Sequence, residues 1–222
     1  MKNIIYFSLI LTAVTIADDT FAQTVNWRSL QEEQKHIVNL NAGWDYASTF
    51  GIGYGYKLNT KIPLIIGTEF SLPAGEDLLD DFKTKAGIQA EVFRSDNFAV
   101  SVKIQGIYRR YQSDFVTMGN FGSEFSAALG YYKTRWYAAT ELGFDKSIVT
   151  KVRHSALMQE YYPEIRDGWY IPSGGNFFYG LQAGYSFPSY DIYLKTGKII
   201  TEDFKTKPSI PFYFNIGVNK RF

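Results

Sequence analysis

The chain has 222 residues, with 23 Lys and Arg against 22 Asp and Glu, and no cysteine. The near-zero net charge gives no electrostatic reason to expect nucleic acid, and the missing cysteine excludes disulfides, thiolate metal sites and a lipidated N-terminal Cys. Aromatic residues make up 18%, high for a water-soluble domain and ordinary for a chain anchored at membrane interfaces.

The N-terminus has the form of a secretory leader. Lys2 precedes an apolar run, Ile4–Ile16, that is too short to span a bilayer as a helix. Cleavage is expected after Ala22, which makes 1–22 a signal peptide and 23–222 a single domain. Gln23–Gln34 is polar and without period, and is expected to be a lead-in. No other stretch approaches 18 consecutive apolar residues, so any membrane span must be made of strands.

From His36 onward the chain alternates at period two, the mark of strands with one apolar and one polar face. The first strand sets Val38, Leu40, Ala42 and Trp44 against Asn39, Asn41 and Gly43. The second sets Phe50, Ile52, Tyr54 and Tyr56 against three glycines. The third and fourth put Ile66, Phe70, Ile88 and Ala90 opposite Glu69, Lys83, Lys85 and Glu91. The next three put Val102, Ile104, Leu129 and Leu142 opposite Lys103, Glu124, Arg135 and Glu141. Two more follow, around Phe177–Phe187 and Tyr190–Lys195. The tenth closes the chain, with Phe212, Phe214, Ile216 and Val218 opposite Tyr213, Asn215, Gly217 and Asn219. Tight connections (58–61, 94–97, 133–134, 188–189) alternate with longer ones (72–81, 110–120, 146–175, 197–209); only 46–49 breaks the rule.

Aromatics on the apolar face sort by height. Trp44, Phe50, Phe70, Phe82, Tyr108, Phe121, Phe144, Phe177 and Phe212 gather at one end. Tyr56, Phe98, Tyr131, Trp136, Tyr185, Phe187, Tyr190 and Phe222 gather at the other, with aliphatic residues between. A soluble core has no reason to sort residues this way, whereas a bilayer with two interfaces does. The final strand ends on Phe222. Amphipathic strands, unequal connections and a terminal Phe together resemble the outer-membrane β-barrels of Gram-negative bacteria. That resemblance implies an all-β, antiparallel up-and-down transmembrane barrel of about ten strands, with eight or twelve as the neighbouring counts. It also implies an outer-membrane location, contact with outer-membrane lipid and lipopolysaccharide, and Phe222 as a signal to the barrel-assembly machinery. A soluble barrel of lipocalin type is the competing fold.

The polar face is expected to line the lumen. Glu69, Lys83, Lys85, Glu91, Lys103, Glu124, Arg135 and Glu141 would form either a selectivity ring or a salt-bridge network that fills a narrow barrel. Folding the third and fourth strands together puts Glu69 near Lys83 or Lys85, and Lys103 and Glu141 are expected to flank Ser126. The longest connection, 146–175, carries Tyr161, Tyr162, Arg166, Trp169 and Tyr170, residue types suited to a binding surface or to packing over the barrel mouth. Ser147 could cap a short helix there, or 148–152 could extend the strand outward.

His154 and Ser155 invite comparison with outer-membrane hydrolases. Ten-stranded omptin-type proteases use an aspartate pair and an Asp-x-His pair. Asp80, Asp81 and His154 fall in corresponding connections, but position 152 is Val. A base and nucleophile adjacent in sequence also point apart on a helix. His36 is expected at the interface, the acidic run Glu76–Asp81 is expected to be solvated, and no metal or cofactor is expected. The leading expectation is a non-enzymatic structural or surface-binding barrel whose extracellular ligand is undefined. A narrow channel for small solutes is the alternative, and a hydrolase stands third.

Overall fold

The computed structural model describes residues 24–45, 47–74, 79–172 and 174–222. The expected signal peptide, and Glu76 and Asp77 of the acidic run, lie outside them. The strands are β1 (His36–Trp44), β2 (Ser48–Leu58), β3 (Leu64–Pro73), β4 (Asp81–Ser95), β5 (Phe98–Gln112), β6 (Val116–Tyr132), β7 (Trp136–His154), β8 (Gly168–Tyr170), β9 (Gly175–Ser186), β10 (Tyr190–Thr201) and β11 (Phe212–Arg221). Among the described residues one helix, α1 (Ala156–Tyr161), precedes β8. Ten strands pair antiparallel in a ring. β1 through β7 run in order, β7 pairs with β9, and β11 returns to β1. β8 is an eleventh strand attached outside the ring to the upper part of β7.

The faces are as alternation dictates. The outward row is exposed and apolar, including Leu40, Ile104, Leu129, Leu142, Leu181 and Ile216, whereas Asn39, Ser101, Lys103, Glu124, Glu141 and Asn219 are buried within the ring. Water would drive such residues the other way; lipid does not. At one end the aromatics of the apolar face touch in a chain: Phe70–Phe82 at 5.4 Å, Phe82–Tyr108 at 5.9 Å and Tyr108–Phe121 at 4.8 Å between ring centres. At the other, Phe98–Tyr131 and Tyr131–Trp136 do the same at 5.2 and 5.7 Å. An apolar, twice-girdled exterior around a polar interior makes this a membrane-spanning barrel of the outer-membrane type.

The wall is uneven. About 9–11 residues suffice to cross the bilayer as a tilted strand, and β1 has 9. β7 has 19, about 60 Å at roughly 3.3 Å per residue, so β5–β7 rise well beyond the girdle. Two expectations are corrected here. Residues 110–120 are not a long loop: β5 and β6 continue to a tight turn at 113–115, closed by Ser113 N donating to Val116 O at 2.9 Å. Residues 146–154 are not loop but continue β7, as the alternative for 148–152 had it, and the helix begins after them, capped by Ser155 rather than Ser147. Ser147 instead bonds the Asn120 amide. Register slips at Phe121/Gly122 and at Glu91/Phe93 mark two bulges in the tall wall.

Inward glycines make room for large neighbours. A Cβ on Gly217 would lie 2.4 Å from the Tyr193 ring, and one on Gly180 would lie 2.3 Å from the Tyr213 hydroxyl. The rings therefore lie flat across the lumen wall.

Candidate functional site: the lumen

The largest departure from the sequence expectation is residues 24–34. They are not a free lead-in but fold into the inner end of the barrel. Thr24, Val25, Asn26, Trp27, Ser29 and Gln34 are all buried. Val25, Trp27 and Leu30 join Ile37, Ile65, Ala99, Tyr132, Tyr137, Ala139 and Tyr193 in one apolar cluster. Polar contacts fix the depth. The Asn26 side chain donates to Lys133 O at 2.8 Å and Ser186 Oγ at 2.9 Å. Asn219 Nδ2 donates to Thr24 O at 2.5 Å. Gln34 Nε2 donates to Pro188 O at 2.9 Å. Arg221, wholly buried, donates to Ser29 O and, at 2.9 Å, to Ser29 Oγ; it also donates to Phe187 O at 2.6 Å and faces Asp191 at 3.3 Å.

Above this plug is a layer of paired charges. Lys85 and Lys103 both reach Glu124, at 2.7 and 3.5 Å. Lys195 reaches Glu141 at 2.9 Å, and the Tyr213 hydroxyl donates to the same carboxylate oxygen at 2.6 Å. Lys83 pairs with Asp45. Glu69 stands directly across from Lys85 in register, and its Oε2 is buried without a protein hydrogen-bond partner. Lys103 does stand opposite Ser126, but Glu141 is one inward step lower, opposite Ala128.

Two expected lumen charges do other work. Arg135 is exposed in the turn between β6 and β7. Glu91 is buried but closes on Arg94 three residues away.

A polar ladder that the sequence did not single out runs down the β1–β11 seam. Asn215 donates to Asn41 at 3.2 Å, Asn41 to Asn39 at 2.7 Å, and Asn39 to Asn219 at 2.8 Å and to the Tyr193 hydroxyl at 3.0 Å. Its lower end is the bond from Asn219 to the plug. Beside the ladder lies a cavity of about 540 Å³. It extends from Gly174 and Ser209 at the loop end, past Glu69, Lys85 and Lys195, to Thr24 of the plug.

The other candidates lie apart from the lumen. Tyr161, Tyr162, Arg166, Trp169 and Tyr170 are exposed. They form no single cluster: Trp169 packs outward on Phe121 at 6.4 Å with Lys151 over its ring, while the Tyr170 hydroxyl donates to Arg166 O. His154 Nδ1 pairs with Asp167 at 3.0 Å, and the two backbone and side-chain bonds from His154 hold that exposed carboxyl below its ordinary pKa. Ser155 Oγ accepts from Met158 N as the helix cap and is not turned toward the imidazole as a nucleophile would be. Asp81 is held by Arg109 at 2.7 Å. His36 packs on Tyr54 and Tyr56 at the inner girdle, and Phe222 is exposed beside it.

No family model matches the chain, and no curated protein does. Among solved structures it is similar to a KdgM porin, at 8% identity over 84% of this chain and 99% of that one, with a TM-score of 0.44. It is also similar to a KdgM porin in complex with disordered oligogalacturonate, at 9% identity over the same shares and a TM-score of 0.43. A third match is an outer-membrane OmpT of Vibrio cholerae, at 9% identity over 87% and 99% and a TM-score of 0.23. At these scores the likeness carries no functional argument.

Proposed function

We propose that this barrel is a narrow channel for small polar solutes, closed at its inner mouth in the conformation described. The observation that carries this is the cavity that runs inside the wall from the loop end to Thr24. A barrel whose role is purely structural gains nothing from an open interior, because side chains suffice to fill a ring of this size. The lining mixes carboxylates with lysines in nearly equal number, so it favours neutral or zwitterionic polar solutes over strongly charged ones. The charge layer lines the cavity through Glu69, Lys85, Glu124 and Lys195. Its members are unbranched lysine and glutamate stems that can swing without moving backbone. This order reverses the one expected from sequence, where surface binding through 146–175 stood first. The exposed aromatics of that segment form no single cluster and offer no comparable enclosure.

The test is planar-bilayer recording of the refolded full chain, with heat-modifiable gel migration as the check of folding. Discrete, infrequent openings are expected. Replacing Glu124 with Gln leaves Lys85 and Lys103 without their shared carboxylate, so the reversal potential in a KCl gradient should move toward anion preference. Folded barrels that pass no discrete current in either form would overturn the channel and return attention to the outer surface around Trp169.

A further inference from the structure

We propose that residues 24–34 are a detachable plug that gates the inner mouth; the inference rests on the channel reading above. The position of the segment makes it the closure. The cavity ends on Thr24, and below that point the lumen is occupied by Val25, Asn26 and Trp27. Removing these side chains from the lumen would leave wall residues only.

The attachment is firm but not that of a permanent core. No strand pairing holds the segment, and with no cysteine in the chain nothing links it covalently. It is held by hydrogen bonds to turns and to the ends of β9, β10 and β11, and by three apolar side chains. Around these contacts Trp27 Nε1, Tyr137 OH, Asp191 Oδ2 and Arg221 Nε are buried without a protein hydrogen-bond partner. Cores that never open rarely leave several polar atoms so placed. Within the segment, between the buried Thr24–Ser29 and the buried Gln34, lie Gln31, Glu32 and Glu33, all exposed, which give the buried part a solvated joint about which to swing. Every donor that fixes Thr24–Ser29 from the wall (Asn219, Arg221) bonds it through main-chain or small hydroxyl oxygens that water can replace.

The absence of native cysteine makes the test clean. Asn26 Nδ2 and Ser186 Oγ are 2.9 Å apart, so the full-length pair Asn26→Cys/Ser186→Cys should lock the plug when oxidised. In a second full-length variant, Asn26→Ala/Trp27→Ala, the plug loses its central anchor. Bilayer currents should vanish in the oxidised pair and return, to at least the wild-type level, on reduction. They should occupy the open state at least about tenfold longer in the double alanine. Equal currents from wild type, oxidised pair and double alanine would overturn the gate and leave the channel standing. Silence in all of them, with the barrel still heat-modifiable, would overturn gate and channel together.

Discussion

Arg221 and Asp191 are the one ion pair among the described residues with both side chains at 0% exposure, and cutting it should be costly. Arg221 also holds the plug through Ser29 and the β9–β10 turn through Phe187. Replacing it with Ala strands the Asp191 carboxylate in a dry site, and truncating one partner of a buried pair costs about 3–5 kcal/mol. That is a large share of the roughly 5–15 kcal/mol that holds a typical domain folded. Asp191→Asn keeps an oxygen for the Ser29 hydroxyl but strands the guanidinium, and should cost a similar amount. The double replacement removes both charges, so its cost should fall well short of the sum, and the cycle should show a coupling of at least about 2 kcal/mol. Urea titration of the barrel in detergent, read by loss of the heat-modifiable band, measures all four corners. Single changes that each cost under about 1 kcal/mol and add without coupling would refute the enclosed-pair argument.

Two further outcomes follow from the exterior and the loops. Ile104 sits mid-height on the lipid face and is exposed, so Ile104→Arg should destabilise the vesicle-inserted barrel by about 2–4 kcal/mol, whereas Gln112→Arg, near the outer end of the same strand, should cost about 0–1 kcal/mol; equal, negligible costs in urea titrations would contradict the lipid-facing band. Asp203 in the outer 202–211 connection accepts from Lys205 N, Thr201 Oγ1 and Thr206 N, and these bonds hold its pKa at about 2, below the ordinary 3.8. Because the folded value is depressed, the stabilisation is present above about pH 4 and is lost as pH falls through about 2. Pepsin cleavage near Phe204 should therefore be slow at pH 4 and rise toward pH 2 in wild type, while Asp203→Asn should remove that step; a step unchanged in the variant would reject the assignment.

The barrel was legible in the sequence because period two survives inversion of the solvent. A strand with one apolar face reads the same whether that face meets a core or lipid, and the sorting of Phe, Tyr and Trp by height then separates the two. The register pairing of Glu69 with Lys85, one of the two neighbours expected for it, was legible for a related reason, since a hairpin fixes its own register. Strand length was legible only as the open alternative for 148–152. Arg109 to Gln112 and Lys146 to His154 continue β5 and β7 above the girdle, where water wets both faces and nothing selects for alternation, so the pattern fades while the hydrogen-bonded ladder goes on. The pairing of Lys195 with Glu141 spans three strands, β10, β9 and β7, and could not be read from any one hairpin. The plug left the faintest trace. It has neither helical nor strand period, and Val25, Trp27 and Leu30 are three apolar residues in a polar stretch.

Why the plug left so little trace also bears on when it docks. Its contacts join residues far apart in the chain: Asn26 to Lys133, Asn26 to Ser186, Ser29 to Arg221 and Thr24 to Asn219, separated by 107, 160, 192 and 195 positions. Two of these partners, Asn219 and Arg221, lie on β11 and stand in place only once β11 has paired with β1. Contacts of such separation contribute only after the closure entropy of the intervening chain has been met by other pairings. The ring must therefore close first, through the seam in which Asn39, Asn41, Asn215 and Asn219 bond one another, and the plug enters afterwards. An element that docks last onto a finished wall, through bonds that water can replace, is also the element that can leave without unfolding it. The same ordering that hides residues 24–34 from a sequence reading is what fits them to open and close the inner mouth.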